Sequence, residues 1–119
     1  MPKVMVVEDE SLIVLWVEEA LREAGYEVVT ASNADEAIQI LETDPAITLV
    51  FTDIDMPGTM DGLKLAAAVR NRWPPVHIVI ASGKRRPNTS EMPERAVFVP
   101  KPYLPIDVLT AFNQVARPV

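Results

Sequence analysis

No cysteine occurs in the 119-residue chain, so disulfide staples and thiol chemistry are both excluded. Basic residues are in short supply, 11 against 17 acidic ones, and the formal charge of -6 argues against a nucleic-acid surface. That balance favours cationic ligands or partners instead, metal ions included. Long apolar runs are also missing. None approaches the length of a membrane span, and Val4-Met5-Val6-Val7 is too short for the core of a signal peptide. The one histidine, His77, falls in or beside a strand and is not a catalytic candidate. Internal repeats and linkers are absent. What is present is a 49% apolar chain of single-domain length, enough for a real core, expected to be a soluble cytoplasmic domain.

The chain alternates short apolar runs with helical periods. Lys3 to Val7 is of strand length and ends on Glu8-Asp9-Glu10. Ser11 is the expected N-cap of a helix reaching Ala24, with Ile13, Trp16, Val17, Ala20, Leu21 and Ala24 as its apolar stripe and Gly25 as its stop. Val14 and Leu15 widen that stripe beyond what one core face needs. Tyr26 to Thr30 returns as a strand. Ser32-Asn33-Ala34-Asp35-Glu36 then opens a helix carrying Ala37, Ile38 and Leu41 on one face, and Asp44-Pro45 ends it. Ile47 to Thr52 is a buried strand running into Asp53, and a Pro57-Gly58 turn signal follows almost at once.

A helix from about Asp61 to Trp73 stops at Pro74-Pro75, and Val76 to Ala81 is a strand closing on Ser82-Gly83. Lys84 to Glu94 holds Pro87 and Pro93 and lacks a helical period, so it is expected to be a loop or at most one turn. Ala96 to Val99 is the last strand, Pro100-Lys101-Pro102 a rigid turn, and Pro105 the first residue of a helix using Ile106, Leu109, Phe112 and Val115. Trp16 and Trp73 read as packing residues. Strand and helix thus alternate five times with one helix eroded. Right-handed crossovers then put helices on both faces of a parallel sheet, a doubly wound α/β domain.

In such a sheet the carboxyl ends of the strands share one edge, where ligands bind. The residues arriving there are Glu8-Asp9, Asp53, Ser82 and Lys101. Carboxylates drawn together raise one another's pKa unless a cation sits among them, and an all-oxygen set suits Mg²⁺. Lys101 supplies a point charge and Ser82 a hydroxyl, so the group can neutralise the oxygens of a phosphoryl group in transit. Asp53 is the candidate nucleophile, since a carboxylate can carry a phosphoryl group as an acyl phosphate.

These residues, in this order and on these elements, resemble the receiver domain of bacterial two-component response regulators, in a single-domain form spanning residues 1–119. The matching parts are Val7-Glu8-Asp9, Asp53 with Met56-Pro57 and Met60-Asp61-Gly62, Ser82-Gly83, and Lys101-Pro102-Tyr103. The resemblance implies a flavodoxin-like five-stranded sheet of order 2-1-3-4-5, with the fourth helix here short or absent. It implies Asp53 as phospho-acceptor from a histidine kinase or histidine phosphotransfer protein. Mg²⁺ would be held by Asp9, Asp53 and the backbone carbonyl of Asp55, with Glu8 acting through metal-bound water. Ser82 would follow the phosphoryl group, Lys101 would pair with it, and Phe98 would rotate inward as the switch aromatic. A cis Lys101–Pro102 bond is implied as well.

Val14, Leu15 and Tyr103 are candidates for a partner surface, and Lys84-Arg85-Arg86 stands where the family's fourth helix would begin. The stretch Met56-Pro57-Gly58-Thr59-Met60-Asp61-Gly62 is one residue longer than the family's common form. Output would go to a downstream protein, a homodimer being one arrangement, without nucleic acid or membrane. Two other functions compete. A haloacid-dehalogenase-like phosphatase also uses Asp-x-Asp at a strand end, as in Asp53-Ile54-Asp55, but its remaining metal acids follow the lysine, whereas Glu8-Asp9 precede everything here. A pseudo-receiver that only docks has no need of the intact acidic set and Lys101.

Overall fold

Successive residues of a strand point to opposite sides of its sheet, and that period of two divides this molecule into two cores. In the computed structural model, which describes residues 2–55, 61–83 and 87–116, strand β1 (Lys3–Val7) sends Val4 and Val6 into one core and Met5 and Val7 into the other. It pairs in parallel with β2 (Glu27–Ala31) on one side and β3 (Ile47–Asp53) on the other. β4 (His77–Ser82) and β5 (Ala96–Pro100) extend the sheet, giving the order β2-β1-β3-β4-β5 throughout in parallel. This is the doubly wound parallel sheet the alternation predicts, in the flavodoxin-like order the family resemblance implies. β1, β3 and β4 are covered on both faces, which is why they read as near-continuous apolar runs.

Helices α1 (Ser11–Glu23) and α4 (Pro105–Ala116) close one face, packing Val17, Leu21, Val108, Ala111 and Phe112 on Val6, Phe51 and Val79. Helices α2 (Ala34–Thr43) and α3 (Gly62–Arg72) close the other, with Ala37, Leu41, Leu65 and Val69 against Met5, Val50, Ile78 and Ile80. Local chemistry sets the helix starts. The Asn33 side chain accepts from the Glu36 N–H at 2.8 Å while Ser32 Oγ donates to Glu36 at 3.2 Å. Asp61 caps α3 by accepting from the Lys64 N–H at 2.9 Å. Gly25 ends the α1 segment with a φ of +97°, a conformation that disfavours any side chain.

Three expectations are corrected. Ser11 is not the N-cap of α1: Glu10 holds that position without a side-chain cap bond, and Ser11 is the first helical residue. Trp16 and Ala24 belong to the expected stripe yet are exposed, because α1 lies on the sheet along the narrower line Ile13, Val17 and Leu21. In α4, Ile106 is exposed and Val108 and Ala111 are buried instead; two positions along a helix turns a side chain to nearly the opposite face. Between β4 and β5 the described residues carry one 3₁₀ turn, Thr89–Glu91, steadied by the Asn88 N–H donating to Glu91 Oε1 at 2.9 Å, in accord with an absent fourth helix. Lys84-Arg85-Arg86 and the stretch from Met56 to Met60 lie outside the described residues.

Candidate functional site

The sheet order brings the carboxyl ends of β1, β3, β4 and β5 side by side; β3 and β4 end in Asp53 and Ser82, and Glu8 and Lys101 directly follow β1 and β5. Glu8, Asp53 and Ser82 are all buried although polar, at 4%, 5% and 3% exposure. Burying charge is costly unless it is compensated, so this cluster requires countercharge. Lys101 supplies it: its Nζ donates to Asp53 Oδ2 at 2.9 Å and to Glu8 Oε1 at 3.5 Å. Burial pulls the Lys101 ammonium down, but the hydrogen bond and charge of Asp53, then those of Glu8, outweigh it and hold the group above its ordinary value.

Acids outnumber that lysine. One carboxylate oxygen from each of Glu8, Asp9 and Asp53 lies within 4.8 Å of the others. Glu8 carries the cost: burial first, then the charge of Asp53, push its carboxyl up to about 8. An all-oxygen donor set around an excess of negative charge fits a hard divalent cation such as Mg²⁺.

A pH dependence follows for the metal-free protein. Because Glu8 is raised above its ordinary 4.5, its contribution to stability is fully present below pH 4.5 and is lost as the pH rises through about 8. Glu8→Gln, equal in size and neutral throughout, is expected to flatten that slope and raise the metal-free Tm at pH 8 by roughly 4 °C or more. Thermal melts across pH 4.5 to 8 check this. A variant with the same slope as wild type would place the repulsion elsewhere.

The backbone around Asp53 is held on several sides. Asp53 aligns with Ala81, the Ile54 N–H donates to Ala81 O at 2.9 Å, and the Lys101 N–H donates to Ser82 O at 3.0 Å. Thr52 Oγ1 donates to Asp53 O at 3.0 Å. Gly62 at the start of α3 presses on the same strand end, and its N–H donates to Ile54 O at 3.1 Å. The Lys101–Pro102 peptide is cis.

Asp55 behaves differently from the other acids. Its N–H donates to Asp53 Oδ1 at 3.2 Å, while its carboxylate accepts from Ser82 Oγ at 2.9 Å. Phe98 is half-buried on β5 and packs toward the α2–α3 core. His77 sits at the opposite end of β4, away from these residues, lowered by burial and by Arg70 and Arg95.

The partner-surface candidates divide. Val14 is half-buried and Leu15 exposed, and both line a groove shared with Glu8 and Asp9. Tyr103 is buried: its ring stacks on Trp16 at 5.8 Å and meets Phe51 edge-on at 5.7 Å. Burial first, then the charges of Glu8 and Asp53, raise its hydroxyl pKa, so it stays neutral. Trp16, Tyr103, Pro102, Lys101 and Ile13 line a second groove beside the acids. Leu12, Leu104 and Ile106 are exposed apolar residues that periodicity alone does not single out as surface.

A profile of the response regulator receiver domain family matches residues 4–113. The response regulator protein FleR of Pseudomonas aeruginosa is 36% identical over 83 residues, 68% of this chain, and the chain spans 17% of that protein's length. The crystal structure of a response regulator receiver protein from Sinorhizobium medicae superposes with a TM-score of 0.89 at 29% identity, covering 96% of this chain and 93% of that one. The response regulator protein TrrA of Thermotoga maritima, solved in complex with Mg(2+)-BeF, gives a TM-score of 0.84 at 28% identity over 97% of this chain and 99% of that one.

Proposed function

Because the chain belongs to the response regulator receiver domain family, over residues 4–113, we propose that Asp53 is the phospho-acceptor of a two-component phosphorelay. The observation that carries this is the 2.9 Å bond from Lys101 to the buried Asp53 carboxylate at the strand end where Glu8 and Asp9 converge. A histidine kinase or histidine phosphotransfer protein is the donor. An Asp53 carboxylate oxygen attacks the phosphorus of the donor's phosphohistidine and forms the new O–P bond. The P–N bond breaks, and its electron pair leaves with the imidazole, whose other nitrogen carries a proton so that the ring departs neutral. Lys101 offsets the charge that arrives, and the Ser82 hydroxyl donates to a phosphoryl oxygen.

Asp9, Asp53 and the Asp55 backbone carbonyl, with Glu8 through water, are the groups that would hold Mg²⁺. When bound, that ion neutralises the acids and orients the phosphoryl oxygens. Phe98, on the strand next to Ser82, is the aromatic whose rotation would report hydroxyl movement to the surface. Leu12 and Leu15 on α1, with Val14 along the groove beside the acids, offer an apolar face on which the phosphodonor protein docks, and Tyr103 supports it from beneath through Trp16. A downstream protein reads the altered surface, in a homodimer or alone.

Incubation with Mg²⁺ and acetyl phosphate is expected to add one base-labile phosphate per chain, mapped by peptide mass to Asp53. Uptake that ignores Mg²⁺, or a phosphate on any other residue, would sink this reading. Repeated turnover of a phosphate ester would favour a phosphatase in its place.

A further inference from the structure

Asp55 is an acid at this edge whose part in holding Mg²⁺ would run through its backbone carbonyl, which leaves its carboxylate for another role. Among the described residues, the carboxylates that converge as a group of three are those of Glu8, Asp9 and Asp53. The Asp55 carboxylate is committed elsewhere, accepting the Ser82 hydroxyl at 2.9 Å. A serine hydroxyl has one O–H to donate. It donates to Asp55 or to an oxygen carried on Asp53, and the two bonds exclude each other.

Both partners stand on backbone that is tied down. Ser82 O accepts from the Lys101 N–H at 3.0 Å, Ala81 O accepts from the Ile54 N–H at 2.9 Å, and the Asp55 N–H donates back to Asp53 Oδ1 at 3.2 Å. Ser82 is 3% exposed, so water does not compete freely for its hydroxyl. With the main chain fixed on both sides of β4, the freedom left to Ser82 is rotation about its own Cα–Cβ bond. Hydrogen bonds to ionised acceptors are the strong kind, and this one points the hydroxyl at Asp55.

We infer that Asp55 is a positioning residue that latches Ser82: its carboxylate holds the hydroxyl in the unphosphorylated rotamer and must release it before the hydroxyl can serve a phosphoryl group on Asp53. The inference rests on the assignment of Asp53 as acceptor. Asp55 then sets how much of the free energy of phosphorylation is spent on turning Ser82. A stronger acceptor at position 55 shifts the balance toward the resting rotamer, and a weaker one toward the switched rotamer.

The test is a cycle of variants titrated with beryllium fluoride, a phosphoryl mimic, at saturating Mg²⁺, read by NMR chemical shifts of the bound and free forms. Asp55→Ala is expected to tighten binding of the mimic by about tenfold in the native background, because the hydroxyl no longer has to be won from a carboxylate. Asp55→Asn, which keeps an acceptor but not the charge, is expected to fall between wild type and Asp55→Ala. In a Ser82→Ala background the same two substitutions are expected to lose most of their effect, since no hydroxyl remains to be released. Equal gains in both backgrounds would overturn the latch and leave charge repulsion by Asp55 as the explanation. No gain in either background overturns it as well. A wild type that binds no beryllium fluoride and takes up no phosphate overturns the acceptor assignment, and the latch with it.

Discussion

Asp53→Asn is expected to lower phosphate incorporation by a factor of at least about 10³, the scale of losing a nucleophile, while leaving the fold intact. The amide has the size of the carboxylate and keeps an oxygen that can accept from the Asp55 N–H, a bond of 3.2 Å in the native chain. It lacks an anionic oxygen with which to attack phosphorus. Lys101 loses its partner at 2.9 Å but still faces Glu8 at 3.5 Å, so its charge is not stranded. Glu8 is relieved of the Asp53 charge that helps raise it, so the metal-free variant is expected to melt no lower than wild type. Mg²⁺ affinity falls, because one of three clustered carboxylates has become an amide. Phosphate uptake, calorimetric Mg²⁺ titration and thermal melts measure the three effects. Uptake at the wild-type rate would place the acceptor at another residue.

Gly62→Ala is the largest expected loss from a residue that touches no reacting atom. A Cβ at position 62 would lie 2.0 Å from Asp53 O, 2.7 Å from Asp53 C and 2.7 Å from Ile54 Cα. All three are backbone atoms, so no side chain can swing aside. Relief requires the start of α3 and the end of β3 to part by about an ångström, which breaks the Gly62 N–H bond to Ile54 O and shifts Asp53 relative to Lys101. The expected cost is about 2–4 kcal/mol, or roughly 10 °C in Tm. Phosphate uptake per folded molecule is expected to fall about 100-fold, the usual penalty for a misplacement of that size. Gly25→Ala is the control: its φ of +97° strains any side chain, but a Cβ there meets nothing within 4 Å. That variant should melt lower and keep its uptake. A Gly62→Ala protein with native Tm and native uptake would contradict the close approach.

The sheet was legible because each strand announces itself twice, by an apolar run and by the polar residue that stops it. Val4 to Val7 against Glu8, Leu49 to Thr52 against Asp53, and Ile78 to Ala81 against Ser82 carry both signals, and the chemistry lies at the stop. The convergence of Asp9, Asp53, Ser82 and Lys101 follows from parallel pairing alone. Helix faces were less legible. α1 carries apolar residues nearly all round, and periodicity does not separate those that meet the sheet, Val17 and Leu21, from those left outside, Leu12 and Leu15. The importance of Gly62 is a matter of how closely two elements approach in space, which leaves no mark on the order of residues. The same holds for Asp55: that its carboxylate turns to Ser82 rather than to the other acids is a choice of rotamer, invisible in Asp53-Ile54-Asp55 as written.

The bond from Lys101 to Glu8 joins residues 93 positions apart, β1 near the start of the chain to the segment after β5. During synthesis, Glu8, Asp9 and Asp53 are all made long before the lysine that balances them. A nascent chain stalled ahead of β5 therefore holds the acids without their countercharge and without the edge that completes the crevice. The crevice is therefore complete only once the fifth strand has docked and brought Lys101 to Asp53 and Glu8.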